Sequence, residues 1–157
     1  MPDVTEITCK VSLPVSELQG INLEGVDLSH TCLVGASLEH SHMTQADLTD
    51  ASLNGAYLNG ADLRGAKIIG ADLSRAILNG STLTRAALRD VVFADADASC
   101  SDFSGAVLGS CNFNEANLNR SDFTDADLTG STGINLAGVN AKQITPPAGY
   151  KLVKDKD

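Results

Sequence analysis

The sequence predicts an all-β solenoid, one chain coiling along a single axis, and three observations predict it. A period of five residues runs from Val11 to Ser131 without insertion or deletion. The central residue of each unit is almost always large and apolar: the 24 such positions from Leu13 to Leu128 hold 17 Leu, 4 Phe, Met43, Ile68 and Ala98. Two residues before it stands something small, with 13 Ala and 6 Ser in 25 positions and no charge in any. Glycine gives the third observation, since ten of the 14 fall two residues after the central one.

A period of five suits neither standard element. On an α-helix five residues advance about 500°, so the Leu column would wind around the whole surface. On a continuous strand an odd period would send successive Leu to opposite faces. The pattern is a step of two followed by a step of three. Ala and Leu two apart point the same way from a short extended segment, and the next three residues turn the chain. The glycines stand where that corner would call for positive φ. Each unit is therefore one short side and one corner, with its Ala and Leu inside.

The units read V-D-L-S-H, A-D-L-T-D, A-Y-L-N-G, A-D-L-R-G, A-N-L-N-R and A-D-L-T-G. These A-(D/N)-L-X-X units resemble the pentapeptide-repeat family over roughly four fifths of the chain. The resemblance implies a right-handed quadrilateral β-helix with four units per coil. Recurrence at twenty supports four sides independently: Phe93 matches Phe113, Phe103 matches Phe123, and Tyr57 matches Ile77. Six coils at about 4.8 Å give a rod about 29 Å long. Ala98 is the one missing large side chain, and Phe93 and Phe103 beside it are expected to fill its space.

Residues 1–10 lack the register and read as an N-terminal cap, 11–131 as the β-helix, and 132–157 as a C-terminal cap with a charged tail. Solenoids need such caps to cover apolar ends and open strand edges. No stretch approaches the ~18 consecutive apolar residues of a membrane span, and Met1-Pro2-Asp3 opens no signal peptide. The four Cys read as no disulfide framework: Cys32 and Cys111 share a side but lie four coils apart, and no C-x-x-C occurs. A reducing cytoplasm is the expected location.

No catalytic arrangement stands out, so neither an enzyme nor a cofactor is expected. His40 and His42 flank a corner, but Gly60 and Asp62 at the matching sites of the next coil supply no obvious third ligand. Asp95, Asp97 and Asp102 occupy positions the repeat fills with carboxylates anyway, and no metal site is assigned.

Charge separates the rod into zones. Residues 11–50 carry six acids and no base, 51–90 three acids against Arg64, Lys67, Arg75, Arg85 and Arg89, and 91–130 seven acids against Arg120. The central belt is one candidate contact surface. Lys67 and Ile69 point outward from the fourth side, the one whose inward column is Leu28, Leu48, Ile68, Leu88, Leu108 and Leu128, Arg89 stacks one coil above Ile69, and Val107 lies above Ala87. Arg85 occupies the adjoining corner. Tyr57 and Ile77 stack outward on the second side, the one whose inward column is Leu18, Leu38, Leu58, Leu78, Ala98 and Leu118, where the repeat usually places polar groups. Exposed apolar residues bordered by Arg compose binding patches.

The expected function is a non-catalytic scaffold for an unknown protein partner, with a homodimer as one arrangement. Direct nucleic-acid binding does not fit the acidic surface. Some members of the family mimic duplex DNA and bind type II topoisomerases, which gives the alternative reading, an acidic modulator of DNA gyrase. Duplex DNA would carry about 17 charges over such a length, more than this rod holds.

Overall fold

The structure, a computed structural model, describes residues 18–149. The N-terminal cap at 1–10, Leu13, Cys9, and the terminal lysines 151, 154 and 156 lie outside the described residues.

Residues one before the centre pair in parallel with residues twenty further on. One ladder runs Asn22, His42, Asp62, Thr82, Asp102, Asp122, and another Asp27, Asp47, Lys67, Ala87, Val107, Asp127. Two more run through Cys32, Ser52, Asp72, Val92, Asn112 and through Ser37, Tyr57, Ile77, Asp97, Asn117. Four ladders offset by five residues make a four-sided coil of twenty. The sides are numbered first to fourth by their central columns, which among the described residues begin at Leu33, Leu18, Leu23 and Leu28.

The hydrogen bonds of one unit show why the motif reads as it does. Ser52 N–H donates down to Thr31 O (2.9 Å), and Leu53 N–H donates up to Asp72 O (2.7 Å). Gly55 N–H donates up to Ser74 O (2.9 Å), and Ala56 N–H closes the corner on Leu53 O (2.9 Å). Four of the five N–H groups are thus met by backbone. The fifth, on the residue after the centre, points outward. Wherever Asp or Asn precedes the centre, its side chain accepts that N–H, as Asp47 Oδ1 does from Thr49 (3.0 Å) and Asp127 Oδ1 from Thr129 (3.0 Å). The D/N of the repeat is the acceptor that completes the corner, an Asx-type turn.

Every unit end from Gly20 to Gly130 is left-handed, with φ between 54° and 77°. Ten of these residues are Gly, but thirteen are not, among them His40, Asp50, Arg85 and Cys100. A non-glycine there costs roughly 1–2 kcal/mol, which the bonds on both sides of the corner offset. Such side chains rise along the axis over glycine one coil on: a Cβ built at Gly60 would collide with His40 Nδ1 at 2.5 Å, and one at Gly70 would collide with Asp50 Oδ1. Glycine in these columns therefore also makes room for the residue below.

The inward columns are closed to solvent from Leu33 to Leu128, each Leu contributing about 1.5–3 kcal/mol by burial. The four Phe form a box. Phe93 stacks on Phe113 (centroids 4.8 Å) and Phe103 on Phe123 (4.7 Å). Phe93 and Phe103 meet edge to face at 6.0 Å beside buried Ala98. One coil on, Phe113 and Phe123 stand 6.3 Å apart beside Leu118. Four of the five buried serines of the small columns donate to backbone carbonyls, as Ser41 Oγ does to Leu38 O (2.7 Å) and Ser101 Oγ to Leu78 O (2.8 Å), and Ser81 Oγ pairs with Ser101 Oγ (3.3 Å).

After Ser131 the period breaks by two residues, and Asp122 pairs with Asn140 and Asp127 with Thr145. Ile134, Leu136, Val139 and Ala141 pack on the last coil, and Ile144 is buried.

The cysteines require a correction. Cys32 is disulfide-bonded, while Cys100 and Cys111 are free. Repeat register rules out only the Cys32–Cys111 pairing; it has no reach outside the repeat, and the partner of Cys32 is not among the described residues. Cysteine usage therefore no longer supports a reducing compartment. Cys111 is buried with its Sγ donating to Leu88 O (2.6 Å), and desolvation pushes its thiol up to about 12.

Candidate interaction surface

The seven residues singled out from sequence do not form one patch. Tyr57 and Ile77 belong to the second-side ladder and Lys67 to the fourth. Those ladders are ten residues apart in a coil of twenty, so they lie on opposite sides of the rod. Tyr57 is 44% exposed, whereas Ile77 is half-buried. Ile69, Arg89 and Val107 gather with Lys67 on the fourth side, and Arg85 stands at the corner leading into it.

Within that group Lys67 is already engaged. Its Nζ lies 2.9 Å from Asp47 Oδ2, directly below it on the ladder. The Asp47 carboxyl is held at about 2, first by the Thr49 hydroxyl and then by Lys67. Arg64 is likewise folded onto Asp62, with Nε 2.8 Å from Oδ1 and Nη2 2.6 Å from Oδ2. Arg85 and Arg89 make no ion pair among the described residues.

The two arginines rise on either side of an apolar strip. A Cβ built at Gly105 would stand 3.4 Å from Arg85 Cγ, and one at Gly109 would stand 3.7 Å from Arg89 Nε. Both stems therefore lie over the next coil, flanking Val107, which is 40% exposed. Gly109 is the only one of the 14 glycines without a left-handed backbone. Its conformation does not call for glycine, and a Cβ there would meet Arg89 only at ordinary van der Waals distance.

The strip also lacks something. Lys67, Ala87 and Val107 stand where the repeat would place Asp or Asn, so their units have no internal acceptor. Among the described residues nothing accepts from the N–H of Ile69, Arg89 or Gly109. Three outward donors thus stack along the fourth side beside two unpaired guanidiniums.

About half of the acids among the described residues are accounted for by the corners. Eight aspartates, at 27, 47, 62, 72, 97, 102, 122 and 127, each accept the N–H two residues on. Asp97 and Asp102 are among them, held by Ser99 and Ser104 (3.1 and 2.8 Å). His42 faces a shallow third-side groove of about 440 Å³ lined also by Asn22, Glu24 and Arg64, while the His40 ring lies over Gly60. Among the described residues no group of three His, Cys, Asp or Glu could hold a metal ion. Nor is any helix there long and apolar enough to cross a membrane.

The family model for pentapeptide repeats matches in eight copies, over residues 16–45, 41–80, 78–108 and 99–140. The chain belongs to the pentapeptide-repeat family. Its coil is accordingly the right-handed quadrilateral β-helix of that family. Among solved structures it is similar to alr5209, a pentapeptide repeat protein from Nostoc PCC 7120. The two are 32% identical over 62% of this chain and 84% of that one, with a TM-score of 0.55. It is also similar to HetL, a pentapeptide repeat protein involved in heterocyst differentiation regulation in the cyanobacterium Nostoc sp. strain PCC 7120. Here the identity is 24% over 87% of this chain and 83% of that one, with a TM-score of 0.52. A trypsin-treated form of QnrB1, a plasmid-mediated fluoroquinolone resistance protein, matches at 18% identity over 90% and 89%, with a TM-score of 0.50. A search of curated proteins gave no match. Fold and family together make this pentapeptide-repeat protein a repeat scaffold.

Proposed function

We propose that the protein is a non-catalytic scaffold that binds a partner protein through its fourth side. The observation that carries this reading is the column of unmet N–H donors at Ile69, Arg89 and Gly109, flanked by Arg85 and Arg89 and floored by Ala87 and Val107. Arg64 is folded back on Asp62 and Lys67 on Asp47, while Arg75 and Arg120 stand singly elsewhere on the rod. On the fourth side the donors and guanidiniums face outward, in the mix of Arg and apolar area that contact surfaces use.

Modulation of DNA gyrase by DNA mimicry is the competing reading. QnrB1, a fluoroquinolone resistance protein, lends it only a common fold. The charge here has a local cause, since eight of the aspartates hold corners. The test is capture from a lysate of the source cell with wild-type protein and with the Arg85→Glu/Arg89→Glu variant, alongside gyrase supercoiling. Lys67 is left alone, because a Glu there would face Asp47. Fourth-side binding requires capture to be lost in the variant with an unchanged β-spectrum. A mimic made more acidic would inhibit gyrase as well as before or better, and would sink the scaffold reading.

A cytoplasmic location belongs to the same proposal. Thiol labelling of Cys32 in intact cells checks it: a reduced thiol fits the cytoplasm, an oxidised one an oxidising compartment.

A further inference from the structure

We propose that the fourth side between Arg85 and Arg89 is a receptor for an acidic extended segment of the partner protein. The carboxylates of that segment would fill the acceptor positions that Ala87 and Val107 leave empty. This rests on the scaffold reading and names the chemistry of its partner.

Three features converge on an acidic occupant. Each outward N–H at 69, 89 and 109 has the geometry that an aspartate of the repeat itself satisfies elsewhere, as Asp127 does for Thr129 (3.0 Å). A carboxylate from outside is the same ligand arriving from another chain. Two arginines that make no ion pair among the described residues stand at the ends of one strand, four residues and so at most about 13 Å apart along the backbone. Guanidinium is the side chain best matched to bidentate carboxylate. The Arg89 stem lies over the next coil, its Nε 3.7 Å from where a Gly109 Cβ would stand, beside the exposed Val107.

Size argues for a segment rather than a globular face. One side is five residues wide, at most about 16 Å, and six coils are about 29 Å long, so it offers at most about 460 Å². A stable dimer or globular complex buries about 800 Å² on each partner. An extended segment needs no more than the strip. In such a segment alternate residues face one way, so acids four apart with a small apolar residue midway match Arg85, Val107 and Arg89. A long nucleic acid does not fit, because acidic coils flank the belt on both sides.

The test is an amide-resolved NMR titration of the full chain with the peptide acetyl-Glu-Ser-Ala-Ser-Glu-amide. Its Gln-for-Glu counterpart and inorganic tripolyphosphate serve as comparisons. Saturable shifts are expected at Ile69, Arg89 and Gly109, absent with the Gln peptide. Val107→Asp supplies the missing acceptor from within, with the residue type found at Asp47 and Asp127 on the same ladder, so it keeps the fold. It should weaken peptide binding about tenfold or more, as should Arg85→Gln/Arg89→Gln, while Arg89→Lys should weaken it less. Equal binding of the Gln peptide, shifts spread to Arg75 and Arg120, or unchanged affinity in Val107→Asp would overturn the proposal. Stronger, saturable binding of tripolyphosphate at the same amides would overturn it in favour of a phosphate ligand. Loss of lysate capture in Arg85→Glu/Arg89→Glu without any peptide binding would leave the scaffold standing and remove the acidic segment. Loss of neither would remove both.

Discussion

The third and fourth sides share one backbone and one period, and differ in how they finish their corners. On the third side the gaps in the acceptor ladder, His42 and Thr82, are single, each bounded by Asn or Asp in the coils above and below. Its one mid-rod cation, Arg64, is clamped on Asp62. On the fourth side the gap is three coils long, from Lys67 to Val107, and two arginines at its edge are unpaired. The second side has a gap as long, from Ser37 to Ile77, so the fourth is set apart by its gap and the two unpaired arginines together. The difference lies in side chains at equivalent positions, so it can be written or erased without disturbing the fold.

The largest expected effect separates the inside of the third side from its outside. Leu63→Asp puts a charge into a buried column and should abolish folding, since an unpaired buried charge costs several kcal/mol. Asp62→Asn next to it keeps the Oδ1 acceptor for Arg64 N–H (3.2 Å) and should shift thermal stability little. Equal losses in the two would break the register on which both sides depend.

Ala98→Leu probes whether the core differs along the rod. Phe93 and Phe103 are 6.0 Å apart beside Ala98, and the equivalent pair beside Leu118 is 6.3 Å apart. The box can open by a few tenths of an ångström, so the change should destabilise by about 1–2 kcal/mol, at the mild end of overpacking. A stabilised variant in denaturant melts would show an unfilled void instead.

Filling and emptying the acceptor ladder should have smaller, opposite effects. Asp127→Ala orphans the Thr129 N–H and should cost about 0.5–1.5 kcal/mol, while Val107→Asp should gain up to about 1 kcal/mol. Matching signs would contradict the role assigned to the repeat carboxylate.

Acid gives the mildest test. Asp47 titrates at about 2 against an ordinary 3.8, and Asp27 and Asp127 are lowered chiefly by the Ser29 and Thr129 side chains. A lowered folded pKa means the stability is fully present above 3.8 and is lost as pH falls towards about 2. Melting temperature should therefore be flat from pH 7 to 5 and decline below about 4.

The inward columns were legible because burial recurs with the period, and a single charge would have broken it. The coil of twenty was legible from Phe93–Phe113 and Phe103–Phe123, which do stack. Left-handed His40, Arg85 and Cys100 were not, because inter-coil bonds force a conformation their own preferences oppose. The Lys67–Asp47 pair lay within reach, twenty residues apart on one ladder, and its omission overstated the belt. The placement of Arg89 beside Gly109 was also within reach, since the two stand twenty residues apart. The bond at Cys32 was illegible, since register says nothing beyond the repeat.

The most direct measurement is photo-cross-linking with benzophenone-alanine placed singly at Val107, Thr82 and Tyr57, on the fourth, third and second sides, in the source cells. A fourth-side contact surface should give a discrete adduct at 107 that disappears with Arg85→Glu/Arg89→Glu, and none at 82 or 57. Adducts at 82 or 57 with none at 107 would contradict it.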